Sequence, residues 1–308
     1  MTKAKRPIVC SAAVFAIALH ASAAQAQGPH TNVLKAVATP TIATYVSGTG
    51  NDINPCTSAS PCRTFRTALN ITLPGGTVYV LDSADYGPIT INKAVSIFSE
   101  GAVAGILATS GAAIVVNAGA SDNVYLSGLD IDGSNSGSIG VQFMSGQSLN
   151  IQKSTVRNFT NAGINFAPAS AGSLYVTNTA LTNNATNGLL ITKGSATVSR
   201  VQATGNGVGL FAAGQTVKLT IADTVSNQNI YGIGASSSAV MVSNSDISNN
   251  SIGVMADQSA VVRIGQSSIS ANGTGWQASN GGQIQSFGTN NVDGNTADGA
   301  PTGTVALN

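Results

Sequence analysis

The sequence contains a single glutamate, Glu100, and two histidines, His20 and His30. Charged residues make up 8% of the 308 positions and aromatics 5%. A chain this poor in carboxylates and imidazoles has little material for a metal centre, and none is predicted. It has no Lys/Arg cluster either, which argues against nucleic acid or an anionic membrane surface as the partner. The longest apolar run, Ile8 to Leu19, is too short to span a bilayer. The last residues, from Gly282, lack the series of roughly ten-residue alternating strands that a membrane barrel needs. Low charge can mean disorder, but regular columns of apolar residues argue against it here.

Those columns are the dominant signal. Gly-apolar-x-apolar blocks recur at Gly140, Gly163, Gly188, Gly209, Gly232, Gly253 and Gly275, at intervals of 23, 25, 21, 23, 21 and 22 residues. A fixed period in this range marks a repeat architecture. A second column runs Ile131, Val156, Leu181, Ala203, Val225, Ile247, Ile269, Val292. A third is an alternating segment: Val124/Leu126, Leu149/Ile151, Leu174/Val176, Ala196/Val198, Leu219/Ile221, Val240/Val242, Val262/Ile264. Alternation at period two reads as a strand with one buried face. Three short strands and three turns in about 22 residues leave no room for helices and fit one rung of a parallel β-helix. The class is therefore all-β. Stacked, Asn206, Asn229, Asn250 and Asn272, each three residues before a repeat glycine, are expected to form an amide ladder at a turn.

Residues 1–26 read as a secretory signal: Lys3, Lys5 and Arg6, then the apolar run, then Ala24-Gln25-Ala26 as a small-x-small cleavage site. Cleavage would leave 13 − 3 = 10 basic and 12 acidic residues, net −2. The protein is thus expected to be secreted, to the periplasm or beyond. Cys10 lies inside the apolar run as a bystander. Cys56 and Cys62, with five residues between them in an exported chain, are predicted to form a local disulfide. Residues 27–44 read as a leader and 45–308 as one β-helix domain. Within it, 45–122 form the cap and first rungs, 123–295 the regular rungs, and 296–308 the end. Thr64 to Leu69 is predicted as a short capping helix with Phe65, Ala68 and Leu69 on one face, shielding the open first rung.

Three N-terminal segments carry a resemblance. Pro61-Cys62-Arg63-Thr64-Phe65-Arg66-Thr67-Ala68-Leu69, Gly76-Thr77-Val78-Tyr79-Val80-Leu81 and Tyr86 through Ile97 resemble the N-terminal module of secreted pectin-lyase-like proteins. The resemblance covers residues 45–308 and implies a single-stranded right-handed parallel β-helix. It does not fix an activity, because that superfamily includes lyases, hydrolases, esterases, adhesins and proteins without an assigned role.

The resemblance also says what a catalytic site would look like: several carboxylates holding Ca²⁺ beside an Arg or Lys base in lyases, or clustered Asp residues in hydrolases. Asp130 and Asp132, with Arg157 one rung on and Lys153 close by, are the weak catalytic candidates. The alternative is a surface ion pair worth about 0–1 kcal/mol. The paired-Asp plus Gly-His-Gly pattern of polygalacturonases and the motifs of pectin methylesterases are missing. No cofactor is expected, with Ca²⁺ entertained only for a lyase. Tyr125 and Tyr175 share an outward column two rungs apart, roughly 10 Å by the strand spacing. They are candidates for stacking on sugar rings, or plain strand-surface tyrosines. Leu190, Phe211 and Met255 line a second outward column, a candidate interface for oligomerisation, or a face covered by a loop or the C-terminal tail. Three functions fit these features: a non-catalytic protein that binds or displays, with polysaccharide or a surface protein as partner; a polysaccharide lyase or hydrolase with an atypical site; and a self-associating scaffold. The first is favoured, so the reading leans away from an enzyme.

Overall fold

The computed structural model describes residues 40–306. The expected signal segment, residues 1–26, and residues 27–39 of the expected leader lie outside them. The described chain winds into a parallel β-solenoid of about nine turns, about 23 residues each. A rung has three strands. In one complete turn Asn123–Ser127 lies on the first face, Leu129–Asp132 on the second and Ile139–Ser145 on the third. The third face is a nine-stranded parallel sheet from Ile89–Ile91 to Thr274–Ala278. The first and second faces merge where Ser173–Thr182 and Ser195–Thr204 run unbroken through the corner between them.

The inward columns are the expected ones. Val124, Leu149, Leu174, Ala196, Leu219, Val240 and Val262 are in register on the first face, and all are buried. On the third face Phe143, Phe166, Ile191, Ala212, Ala235 and Ala256 stack in that order. The two phenyl rings lie face to face with centroids 4.6 Å apart, a favourable offset-stack distance. The column narrows from ring to methyl along the coil, and at its last member, Ala278, it is exposed.

One second-face assignment is corrected. Ser226, not Val225, sits between Ala203 and Ile247. Ser226 is buried and Val225 is 36% exposed. The asparagine ladder explains why. It runs Asn184, Asn206, Asn229, Asn250, Asn272, Asn295, and each member lies three residues after the second-face inward position. Each Nδ2 donates to the Oδ1 of the next rung at 2.9–3.1 Å. Each backbone N–H from Asn184 to Asn272 donates to that same Oδ1. Asn229 fixes Ser226 inward, where its hydroxyl donates to the Gly232 carbonyl at 2.8 Å.

The repeat glycines are required for space. A Cβ on Gly163, Gly188, Gly209, Gly232 or Gly253 would stand 2.6–2.8 Å from the carbonyl oxygen of the glycine one rung on. A second ladder, of hydroxyls, follows the corner after the first face. Ser154, Thr179, Thr224, Ser245 and Ser267 each donate to the carbonyl two residues back at 2.8–2.9 Å. Thr224, Ser245 and Ser267 also accept an N–H from the rung before.

The N-terminal end is closed twice. Helix α1, Phe65–Ile71, buries Phe65, Ala68 and Leu69; Thr64 caps its N-terminus by accepting from the Thr67 N–H. The Lys93 amine donates to the carbonyls of Leu69 and Thr72 at its far end, where a cation suits the helix dipole. The first strand, Thr41–Val46, begins four residues earlier than Tyr45, the expected start. Cys56 and Cys62 are disulfide-bonded. Their loop covers that strand's open edge: the N–H groups of Tyr45 and Ser47 donate to the carbonyls of Cys56 and Cys62, and the Cys62 N–H to Tyr45. Pairing an edge in this way blocks strand addition by another chain.

Two stability outcomes follow. Asn229→Ala orphans the buried N–H of Asn206 and one of its two Nδ2 hydrogens, at roughly 1–3 kcal/mol per group. Its urea midpoint should fall well below that of a control, Asn227→Ala, at a half-exposed position of the second face. Replacing both Cys56 and Cys62 by Ser releases a short loop and removes about 2 kcal/mol of chain-entropy stabilisation. Amide exchange should then accelerate in Thr41–Val46 before it changes in the central rungs.

Candidate functional site

Three of the four charged candidates, Asp130, Lys153 and Arg157, line one groove where the first face turns into the second, and Asp132, at the far end of its second-face strand, joins them through Arg157. Thr155–Arg157 pairs with Leu129–Asp132, with Thr155 over Asp130 and Arg157 over Asp132. Inward Val156 and Ile131 turn the flanking side chains outward. The Arg157 guanidinium grips both acids: Nη1 and Nη2 donate to the two oxygens of Asp130, the latter at 3.0 Å, and Nε donates to Asp132 at 3.0 Å. The Asp132 carboxylate also accepts from the Ser134 N–H at 2.8 Å and the Asn158 amide at 3.0 Å. Burial pushes the Asp132 carboxyl up, but these donors together outweigh it and hold it below its ordinary value. The bond to Asp130 likewise holds Arg157 firmly protonated.

Lys153 occupies the corner itself, at φ 49°. Positive φ in a long side chain can mark a functional site. Here the corner imposes it: Asn178, Arg200, Asp223, Asn244 and Gln266 share the conformation rung after rung. A groove of about 530 Å³ opens at this corner, lined by Phe98, Glu100, Asp130, Lys153, Thr155 and Arg157. Glu100, on the turn after Val95–Phe98, is the member that sequence reasoning missed; its rung is irregular and gave no column to follow. Two carboxylates and two cations thus line one groove, but Asp130 and Arg157 are spent on each other. A guanidinium held by two carboxylates is a poor proton acceptor. Among the described residues, no three His, Cys, Asp or Glu side chains come together as a metal site, and Arg157 occupies the acids that a calcium ion would need.

Tyr125 and Tyr175 lie on the outer side of the first face in one column, with Asn150 between them. They are 48% and 44% exposed. The groove they bound, about 190 Å³, is also lined by Asn150, Gln152 and Thr177. Toward the N-terminus the same face carries Tyr45, Tyr79 and Phe98. The first two are stacked with centroids 5.4 Å apart, and Phe98 stands edge-on to Tyr79 at 6.2 Å. These additions to the aromatic face depended on the pairing of Thr41–Val46, Thr72–Val80 and Val95–Phe98, whose spacing departs from the later repeat.

The apolar column is present on the third face as Leu190, Phe211, Gly234 and Met255. The Phe211 ring lies across Gly234, where an added Cβ would meet it at 2.8 Å, so these side chains are half-buried against their neighbours. The described C-terminal segment extends the coil instead of lying over this column: Ala297 and Asp298 accept from Gly275 and Trp276 of the last third-face strand, and Gly303–Thr304 pairs with Gln283–Ser286 of the first face.

Residues 67–224 match the family described as the right-handed β-helix region. The chain belongs to that family. Several solved structures share its shape. Pectate lyase Pel9A superposes with a TM-score of 0.62 at 15% identity, over 87% of this chain and 80% of the lyase. XylC, solved with xylose, gives 0.65 at 8% identity over 79% and 68%. Tailspike protein 2 of the Escherichia coli O157:H7 bacteriophage CAB120 gives 0.55 at 9% identity, over 79% of this chain and 42% of the tailspike. Identities this low speak for the fold alone. No curated protein sequence matches this β-helix.

The Asp132 environment gives a pH test. Its folded value lies below the unfolded value of about 3.9, so its stabilising contribution is complete above that value and is lost as pH falls through the folded one. The difference in urea midpoint between the wild type and Asp132→Asn should be largest near neutrality and shrink toward about pH 3.

Proposed function

We propose that this protein is an exported, non-catalytic β-helix that binds polysaccharide on its first face. The observation that carries the reading is the groove between Tyr125 and Tyr175, with the Asn150 and Gln152 amides on its floor. Two exposed tyrosines roughly 10 Å apart, by the strand spacing, offer apolar ring faces about a disaccharide's length from each other. The amides between them can exchange hydrogen bonds with sugar hydroxyls. A concave surface of apolar faces and a few placed polar groups is the usual form of a ligand site.

The ionic groove supports binding better than cleavage. Asp130, Asp132 and Arg157 are bonded to one another, which leaves a lyase or hydrolase there only Lys153 and Glu100 for proton transfer. Export is supported by the signal-like residues 1–26 and by the disulfide, which persists in oxidising compartments. The pectate lyase and the xylose-bound XylC among its structural neighbours agree with this reading.

A glycan array probed with the mature protein tests it. At least one polysaccharide should be retained, with neither unsaturated sugars nor new reducing ends released. Tyr125→Ala and Tyr175→Ala should each weaken retention about tenfold, equivalent to about 1.4 kcal/mol, with unchanged thermal midpoints. Turnover of the retained polymer, or full binding by the double variant, would overturn the reading.

A further inference from the structure

The first face has a property that the binding reading does not require. Seven strands pair consecutively along it: Thr41–Val46, Thr72–Val80, Val95–Phe98, Asn123–Ser127, Ser148–Gln152, and residues 173–177 and 195–199. None of them contains a charged residue. The first charge on a strand of this face is Lys218, in Lys218–Ala222. From Tyr79 onward the outward positions before it carry aromatic rings, hydroxyls and the three amides Asn123, Asn150 and Gln152. Charged groups lie beside this face: Lys153 and Arg200 at the corner into the second face, Asp122 and Lys193 on the turns before Asn123–Ser127 and residues 195–199, and Asp130, Asp132 and Arg157 on second-face strands. Arg157 is held by its two acids, and Arg200 donates to Asn178 Oδ1 at 2.9 Å.

We infer that the ligand of the first face is a neutral polysaccharide chain lying across the strands, not an acidic one. The inference rests on the polysaccharide-binding reading above and deepens it. A polymer with a carboxylate on each sugar would bring a row of negative charges over this surface. Over the strands themselves each would lose water without gaining a cation, with Lys153 only at the border, and such desolvation is costly unless paired. A neutral pyranose chain meets no such penalty. Its ring faces stack on tyrosine, and its hydroxyls find donors and acceptors in Ser, Thr, Asn and Gln. The aromatic positions from Tyr79 through Phe98 and Tyr125 to Tyr175 span five successive strands, so the contact is extended.

The test is affinity electrophoresis of the full chain in gels containing a neutral polymer (xylan or a mixed-linkage β-glucan) or an acidic one (polygalacturonate or alginate), each at low and high salt. The expected result is retardation by a neutral polymer that changes less than about twofold between about 0.05 M and about 0.5 M salt, because screening acts only on charge contacts. Tyr125→Ala and Tyr175→Ala should each relieve it about tenfold, and Lys218→Ala should leave it unchanged. Retardation by acidic polymers alone, abolished by salt, would overturn the neutral assignment while leaving polysaccharide binding intact. Retardation by no polymer would overturn both.

Discussion

The column of buried side-chain amides governs the fold. Each ladder Oδ1 from Asn206 to Asn295 accepts two hydrogen bonds from the preceding rung, one from backbone and one from side chain. Each Nδ2 from Asn184 to Asn295 also donates to the carbonyl of a second-face strand, from Val156 through Ile269. A buried amide with donors and acceptor all engaged stabilises, whereas the same amide slipped by one residue would leave several polar groups without water or partner. The ladder therefore sets the register, and apolar burial supplies the bulk of the favourable free energy around it. Both ends are terminated by chemistry, not by chance. Asn184 Oδ1 accepts from the Phe159 N–H, and Asp298 takes the donors of Asn295. The glycine column is the steric counterpart, since only a residue without Cβ lets the third face pass so close to the next rung.

This hierarchy explains what could be read from the sequence. Inward positions repeat because like must stack on like, so Ile131, Val156, Leu181, Ile247 and Ile269 were legible as one column and are one column. The rule fails at Val225, where ranking residues by hydrophobicity picks the wrong neighbour. The offset of three to Asn229 was the stronger signal, because a misplaced amide costs more than one serine in a core whose hydroxyl has a partner. The left-handed corner residues were illegible for the opposite reason. Lys153, Arg200 and Gln266 have no intrinsic preference for positive φ; the corner imposes it, and the hydroxyl ladder at Ser154 and Ser267 holds the chain there. Of the candidate site, the cross-rung neighbours Asp132 and Arg157 were readable from the period. That Arg157 also reaches Asp130 was not, because side-chain reach is not periodic. Glu100 and the Tyr45, Tyr79 and Phe98 extension belong to early rungs whose irregular lengths hide their register.

Function must then lie in positions that the stacking rule leaves free. In this molecule those are the outward columns and the corners, and they have diverged in character. The second-face corner is ionic, with Asp130, Asp132 and Arg157 bonded to one another. The first face is aromatic and hydroxylic. The third face carries a short apolar column folded onto its own glycine. The shared coil of a pectate lyase, a xylose-bound protein and a phage tailspike illustrates how little the inward columns say about chemistry.

The low overall charge is partly a consequence of the architecture. Successive rungs place equivalent side chains roughly 4.8 Å apart, so a charged column of one sign would repel itself along the coil. A solenoid can escape this by alternating signs, as Asp132 and Arg157 do across one step, or by pairing a charge with an amide, as Asp257 does with Asn280. Both solutions occur in this chain. Seven consecutive first-face strands that use neither are therefore not explained by the stacking constraint. The absence of charge there is a property of that face, and it coincides with the run of exposed rings.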